Sequence, residues 1–196
     1  MKETLNFKTN TLLKNLVGKD LINDDNIAIV ELVKNAYDAG AEDVLVRFEG
    51  FTEQGKTFNG SRIVIADKGR GMNLDDIKDK WLNIAYSEKK LTHQESGAYL
   101  AGNKGIGRFS CDRLGKKLDL LTRAKNGDAL HLQIDWTRFE VEGIKDLTIQ
   151  EIELEITDIQ EDNAAQLAGL TKFPLSGTVL VISEPRSEWN RDKLFE

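Results

Sequence analysis

The sequence predicts an α/β domain in which helices and short strands are interleaved along one chain. Three observations carry that prediction. Residues 24–39 have the caps and spacing of one long helix, and residues 43–49 and 63–66 read as strands on either side of a Gly-containing turn region. Residues 117–123, 129–135 and 177–183 read as a later set of strands.

Each element has a local reason. Leu12, Leu13, Leu16 and Val17 sit at helical spacing, and Gly18 can end that short helix. Asn23 or Asp24 can cap the long helix, Asp24 and Asp25 supply the favoured negative charge in its first turn, and Gly40 offers its stop. Val44, Val46 and Phe48 alternate as a half-buried strand does, and Ile63 to Ala66 is a short buried run. Leu74, Ile77, Trp81 and Leu82 place one apolar side on a helix over 74–82. Residues 86–104 lack periodicity and read as a long loop, of the kind that is usually functional or disordered. A helix over 106–114, a strand over 147–158 and a short helix over 162–169 complete the set, and the helix-like pattern of 186–196 closes it.

With 196 residues the chain suits one domain with a proper core. A net charge of −6 argues against a surface devoted to non-specific nucleic-acid binding, so any such binding is expected only through other domains. The single cysteine, Cys111, cannot form an internal disulfide, which fits a reducing compartment. Residues 1–10 lack a signal-peptide pattern, and no stretch reaches the ~18–20 apolar residues of a spanning helix. The expectation is a cytoplasmic domain with no membrane partner.

Four groups of residues could carry chemistry. Glu31, Asn35 and Asp38 stack on one helical face, while Ile27, Val30 and Val33 could pack on a sheet. A carboxylate to orient water beside an amide oxygen for Mg²⁺ suits phosphate chemistry, although a solvated polar face has the same pattern. Asp67-Lys68-Gly69-Arg70-Gly71-Met72 follows an apolar strand directly. Its carboxylate could accept from a base amino group that glycines let approach, and a plain strand-to-helix turn uses the same residues. Gly102-Asn103-Lys104-Gly105-Ile106-Gly107 opens a helix and could offer backbone N–H groups to phosphate, or serve as a hinge. It is neither a P-loop nor a dinucleotide fingerprint, since no Gly-Lys-Ser/Thr follows and Ser110 stands where a third glycine belongs. Thr178 follows Gly177 at a strand start, where threonine is common.

Together and in this order, the four groups resemble the GHKL superfamily of gyrase, heat-shock chaperones, histidine kinases and MutL, over about residues 12–183. The resemblance implies a two-layer sandwich, a mixed and mostly antiparallel sheet covered on one face by helices, with 86–104 as a mobile ATP lid. It implies ATP and Mg²⁺ as ligands, with Glu31 as general base and Asn35 as the Mg²⁺ ligand. Asp67 would bind the adenine amino group, Gly69, Gly71 and Met72 would line the base pocket, and Asp38 would help hold the base or its waters. Gly102, Asn103, Lys104, Gly105, Ile106 and Gly107 would wrap the phosphates, and the Thr178 hydroxyl would support Asp67.

Glu31 and the Asp38-Ala39-Gly40-Ala41 run are similar to the hydrolysing branch; within it Asp67 through Ser87 resembles the heat-shock chaperones most closely, and Phe109 through Arg123 is more similar to MORC proteins. A phosphotransfer domain of the histidine-kinase type is the alternative. In the hydrolysing branch a Lys or Arg for the γ-phosphate usually comes from a following transducer domain. The expectation is therefore one ATP-binding domain over 1–196 belonging to a longer protein, slow on its own and dimerising with nucleotide. Trp81, Trp136 and Trp189 are expected to pack in the core or an interface, Cys111 to be buried, and Lys78, Lys80, Lys89 and Lys90 to lie on a solvated surface.

Overall fold

The computed structural model describes residues 2–7, 24–83, 110–139 and 153–195. The helix expected at 12–17, the lid at 86–104, the glycine motif at 102–107 and part of the strand expected from 147 lie outside them.

One sheet organises the described residues. Its strands are β1 (Lys2–Leu5), β2 (Val44–Phe51), β3 (Thr57–Asp67), β4 (Gly115–Arg123), β5 (Leu130–Asp135), β6 (Leu154–Asp158) and β7 (Gly177–Pro185). They lie in the order β1-β6-β5-β4-β7-β3-β2, and every described pairing is antiparallel. β7, the last strand in sequence, sits between β3 and β4, so both of its neighbours come from far up the chain. β1 was not expected from sequence. Its Leu5 pairs opposite Leu154, and Phe7 just beyond it is buried against Trp81 and Trp136. Four residues carry too little pattern to announce a strand until β6 is present to receive them.

The helices are α1 (Asp25–Asp38), α2 (Leu74–Asp76, continued by a π-helical turn Ile77–Trp81), α3 (Ser110–Leu114), α4 (Glu161–Ala168) and α5 (Arg191–Phe195). Alternation within the strands divides the core in two. Ile63, Ile65, Leu118, Leu120, Leu132, Ile134 and Ile182 face Ala28 and Leu32 of α1, Ile77 of α2 and Cys111 and Leu114 of α3. Val64, Leu121, Val179 and Val181 face Ala164, Ala165 and Ala168 of α4. The helix-covered sandwich is therefore present, and the small side chains of α4 add cover to part of the second face. Trp136, Trp189 and Cys111 are core residues, and Trp81 is partly buried and packs against the same core, its ring beside Phe7. Lys78 and Lys80 are held by Glu3 and Asp76, at 2.7 and 3.0 Å.

β3 begins earlier than the sequence indicates, at Thr57 rather than 63. A bulge in β2 between Glu49 and Phe51 places Gly50 at φ 70°, and the Ser61 hydroxyl donates to the Gly50 carbonyl. The irregular pairing conceals the strand from a period-two pattern.

Candidate nucleotide site

α1 starts where its caps predict. Asp24 has extended backbone, and its carboxylate accepts from the N–H groups of Asn26 and Ile27 at 2.6 and 3.2 Å, satisfying donors that the helix leaves open. At the other end Ala39 is the cap and Gly40 turns the chain at φ 78°. The face that meets the sheet differs from the expected one. Ala28, Leu32 and Ala36 are buried, whereas Ile27 and Val30 are exposed. Small residues bring the helix close to the sheet, which turns Ile27 and Val30 outward.

Glu31, Asn35 and Asp38 lie beside the buried stripe, on the polar side of α1. Glu31 Oε1 accepts from Lys34 Nζ at 2.9 Å, and both side chains are partly exposed. Asn35 is exposed, and among the described residues its amide has no partner. No cluster of three or more potential metal-ligating residues occurs among the described residues. An amide oxygen of this kind fits Mg²⁺, which takes few protein ligands and completes its shell with water and phosphate.

The second half of the site is built at the end of β3. Asp67 is 8% exposed, and its Oδ1 accepts from the Gly69 N–H at 2.8 Å and the Thr178 N–H at 3.2 Å. Both donors fall on one oxygen, which leaves Oδ2 with capacity for a ligand. Burial pushes the Asp67 carboxyl above the ordinary aspartate range, and the two N–H donors offset part of that shift.

Glycine is required around this carboxylate for reasons of space. Gly71 has φ 63°, and a Cβ there would meet the Arg123 carbonyl oxygen at 1.8 Å. A Cβ on Gly69 would meet the Ala39 carbonyl oxygen at 2.7 Å, and the Arg70 N–H donates to that oxygen at 2.9 Å. The turn after Asp67 is thereby seated on the C-terminal end of α1, next to Asp38. Two motifs far apart in sequence share one wall.

Thr122 completes the wall, and nothing in the sequence reading singled it out. It is fully buried at the end of β4, directly opposite Thr178 in the pairing with β7. Its hydroxyl accepts from the Met72 N–H at 2.9 Å, donates to the Gly177 carbonyl at 3.0 Å and lies 3.1 Å from the Thr178 hydroxyl. The available signal was a threonine following Leu118, Leu120 and Leu121 in a strand, a position where its hydroxyl needs a partner. Thr178 does support Asp67, but through its backbone N–H. Its hydroxyl turns to Thr122 instead, because the strand pairing sets those two side chains opposite each other.

The structure thus brings Asp67, Gly69, Gly71, Met72 and Thr178 together with the end of α1 that carries Asp38. A separate groove of about 410 Å³ lies on the sheet face away from α1, between Lys117, Asp119, Gln133, Asp135 and Glu155. Several of its polar groups are already partnered: Asp119 binds His131 and Gln133, and Lys117 binds Glu184. It shares no residue with the Asp67 wall.

Comparison with known proteins gives the family. The family described as "Histidine kinase-, DNA gyrase B-, and HSP90-like ATPase" matches residues 23–165. The chaperone protein HtpG of Chromobacterium violaceum is 32% identical over 78% of this chain and 26% of its own length. HtpG of Aromatoleum aromaticum is 28% identical over 97% of this chain and 34% of its own. A putative type II restriction enzyme, HgiDII of Herpetosiphon aurantiacus, is 32% identical over 53% of this chain and 15% of its own. The chain spans at most about a third of the HtpG chaperones it matches. Among the described residues no helix is long and apolar enough to cross a membrane. With an aspartate buried at a strand end, glycines that close contacts require and a matched family over most of its length, the chain belongs to the histidine kinase-, DNA gyrase B- and HSP90-like ATPases, a family of ATP-hydrolysing domains.

Proposed function

We propose that this chain binds Mg-ATP and hydrolyses it slowly, as the N-terminal ATPase switch of a longer cytoplasmic protein. The observation that carries the reading is Asp67, a buried carboxylate with one oxygen held by two backbone N–H groups and the other left for a ligand. A buried anion of that kind suits the adenine amino group, a neutral donor that reads position without adding charge.

In this reading Asn35 ligates Mg²⁺ and Glu31 orients the attacking water, with Gly102 to Gly107 around the phosphates. Bound Mg²⁺ would neutralise charge on the phosphates, and the chain's own task is to hold the base and the water in place. Lys34 donates to one oxygen of Glu31, and the other is left for the water. The whole chain, 1–196, forms one domain, and loaded copies associate in pairs because the γ-phosphate favours one conformation over another. The much longer relatives support further domains acting downstream. Their names, a chaperone and a restriction enzyme, support a domain that serves different effectors.

Calorimetry with Mg-ATP and Mg-ADP tests the binding, and size-exclusion chromatography with a non-hydrolysable analogue tests the pairing. Heat with both nucleotides, and a shift to twice the mass with the analogue, are expected. Absence of any heat would remove the assignment. A monomer under saturating analogue would remove the pairing alone.

A further inference from the structure

The segment after β7 does more than leave the domain. The Arg186 N–H donates to the Leu114 carbonyl at 3.0 Å, and its guanidinium donates to the carbonyl and the carboxylate of Asp112, at 2.6 and 2.7 Å. Trp189 is buried against Phe48, with ring centroids 4.8 Å apart, and its backbone N–H donates to the Gly55 carbonyl at 2.8 Å. Gly55 is held to glycine by that contact: it has φ 83°, and a Cβ would meet Asn190 N at 2.2 Å. Lys193 then lays its ammonium over the Trp189 ring, 4.4 Å from the centroid, and reaches the carboxylate of Asp25.

Asp25 is where these contacts converge. It lies in the first turn of α1, 5% exposed, and its second oxygen accepts from Arg113 Nε of α3 at 2.7 Å. Ser187 also donates to it. One buried carboxylate therefore joins the start of α1, the short helix α3 and the segment 186–195. The same α1 carries Glu31 and Asn35 further along its length, and α3 follows the Gly102–Gly107 run in sequence. The segment lies beyond the residues matched to the family.

We propose that residues 186–195 are a strap whose seating on Asp25 positions α1 for nucleotide, so that nucleotide binding and strap docking are thermodynamically linked. The proposal rests on the ATP reading above. Such linkage is reciprocal: whatever fraction of affinity the strap supplies to nucleotide, nucleotide returns as strap docking. Asp25 is a positioning residue here, since it acts through α1 and touches no ligand.

The test uses the full chain, the non-hydrolysable analogue AMP-PNP with Mg²⁺, and two readouts. In hydrogen exchange, Mg-AMP-PNP slows the peptide that contains the Trp189 and Lys193 amides. In calorimetry, Lys193→Met weakens Mg-AMP-PNP by about 5- to 20-fold, the lower part of the usual coupling range, because Arg186 and Trp189 still hold. Lys193→Arg restores affinity. Asp25→Asn matches Lys193→Met, and the double variant loses no more than either alone. Lys193 is partly exposed, so its replacement keeps the fold even where Asp25→Asn does not. Wild-type affinity in Lys193→Met, or exchange indifferent to nucleotide, overturns the linkage while leaving the ATP reading intact. A lower urea midpoint for Lys193→Met with unchanged affinity overturns it too. No AMP-PNP binding by the wild-type chain overturns both.

Discussion

In the proposed reading, Asp67→Asn separates recognition of the base from support of the fold. Both backbone donors, from Gly69 and Thr178, fall on Oδ1, and the amide oxygen of asparagine can accept both in the same geometry. The change is therefore confined to the other position, where an acceptor oxygen becomes an NH₂ donor facing the adenine amino group. A hydrogen bond to a charged acceptor contributes about 1.5–3 kcal/mol, so Mg-ATP should bind about 10- to 150-fold more weakly. Stability should move the other way. The folded carboxyl has its pKa raised from 3.8, so its ionised form is disfavoured by folding, and the penalty grows as pH rises through the folded value. At pH 7 the neutral amide avoids it, and the thermal midpoint should stay level or rise. Inosine triphosphate sharpens the experiment, since its 6-oxo group is an acceptor. Wild type should prefer ATP over inosine triphosphate, and Asp67→Asn should lose or reverse that preference. Calorimetry with both nucleotides and a thermal melt check all three outcomes. Unchanged ATP affinity in a folded variant, when wild type binds, would refute the role of Asp67. A collapsed fold would show that its charge is structural.

Three further outcomes follow from the same wall and its surroundings. Thr122→Val removes the hydroxyl that serves the Met72 N–H and the Gly177 carbonyl, so urea denaturation should show a loss of about 1–3 kcal/mol, with Thr122→Ser close to wild type. Gly71→Ala puts a Cβ where the Arg123 carbonyl stands, in a left-handed conformation, and should cost more than about 2 kcal/mol by the same assay and abolish Mg-ATP binding. For Asp25, burial opposes the charge, but hydrogen bonds from Lys193, Ser187 and Arg113 outweigh it and hold the carboxyl below its ordinary 3.8. A depressed carboxyl stabilises the fold above its unfolded value and loses that effect as pH falls through the folded one. Asp25→Asn should therefore cost about 1–3 kcal/mol at pH 7 and show a shallower decline below pH ~4 than wild type, in urea titrations across that range.

Much of the site was legible because its signals are local. The Asp24 cap and the Gly40 stop delimit α1 within the sequence of α1 itself, and Asp67 with Gly69 and Gly71 stands at the end of an apolar run whose strand character is plain. The order of the four groups identified the family before any coordinate did. Other features depend on partners dozens of residues away. β1 has no pattern of its own and exists through β6, and the exposure of Ile27 and Val30 follows from which side of α1 the sheet accepts.

From the sequence alone come the α/β class, the extent of α1, the strand ending at Asp67 and the residue types suited to a nucleotide, all of them set by contacts within about a turn or a strand. Only the tertiary structure could place Thr122 beneath Met72 and Gly177, direct the Thr178 N–H rather than its hydroxyl to Asp67, and gather Arg113 and Lys193 on Asp25. Those assignments are decided by strand register and helix docking. Both depend on long-range pairings, in which a single shifted residue exchanges one face for the other.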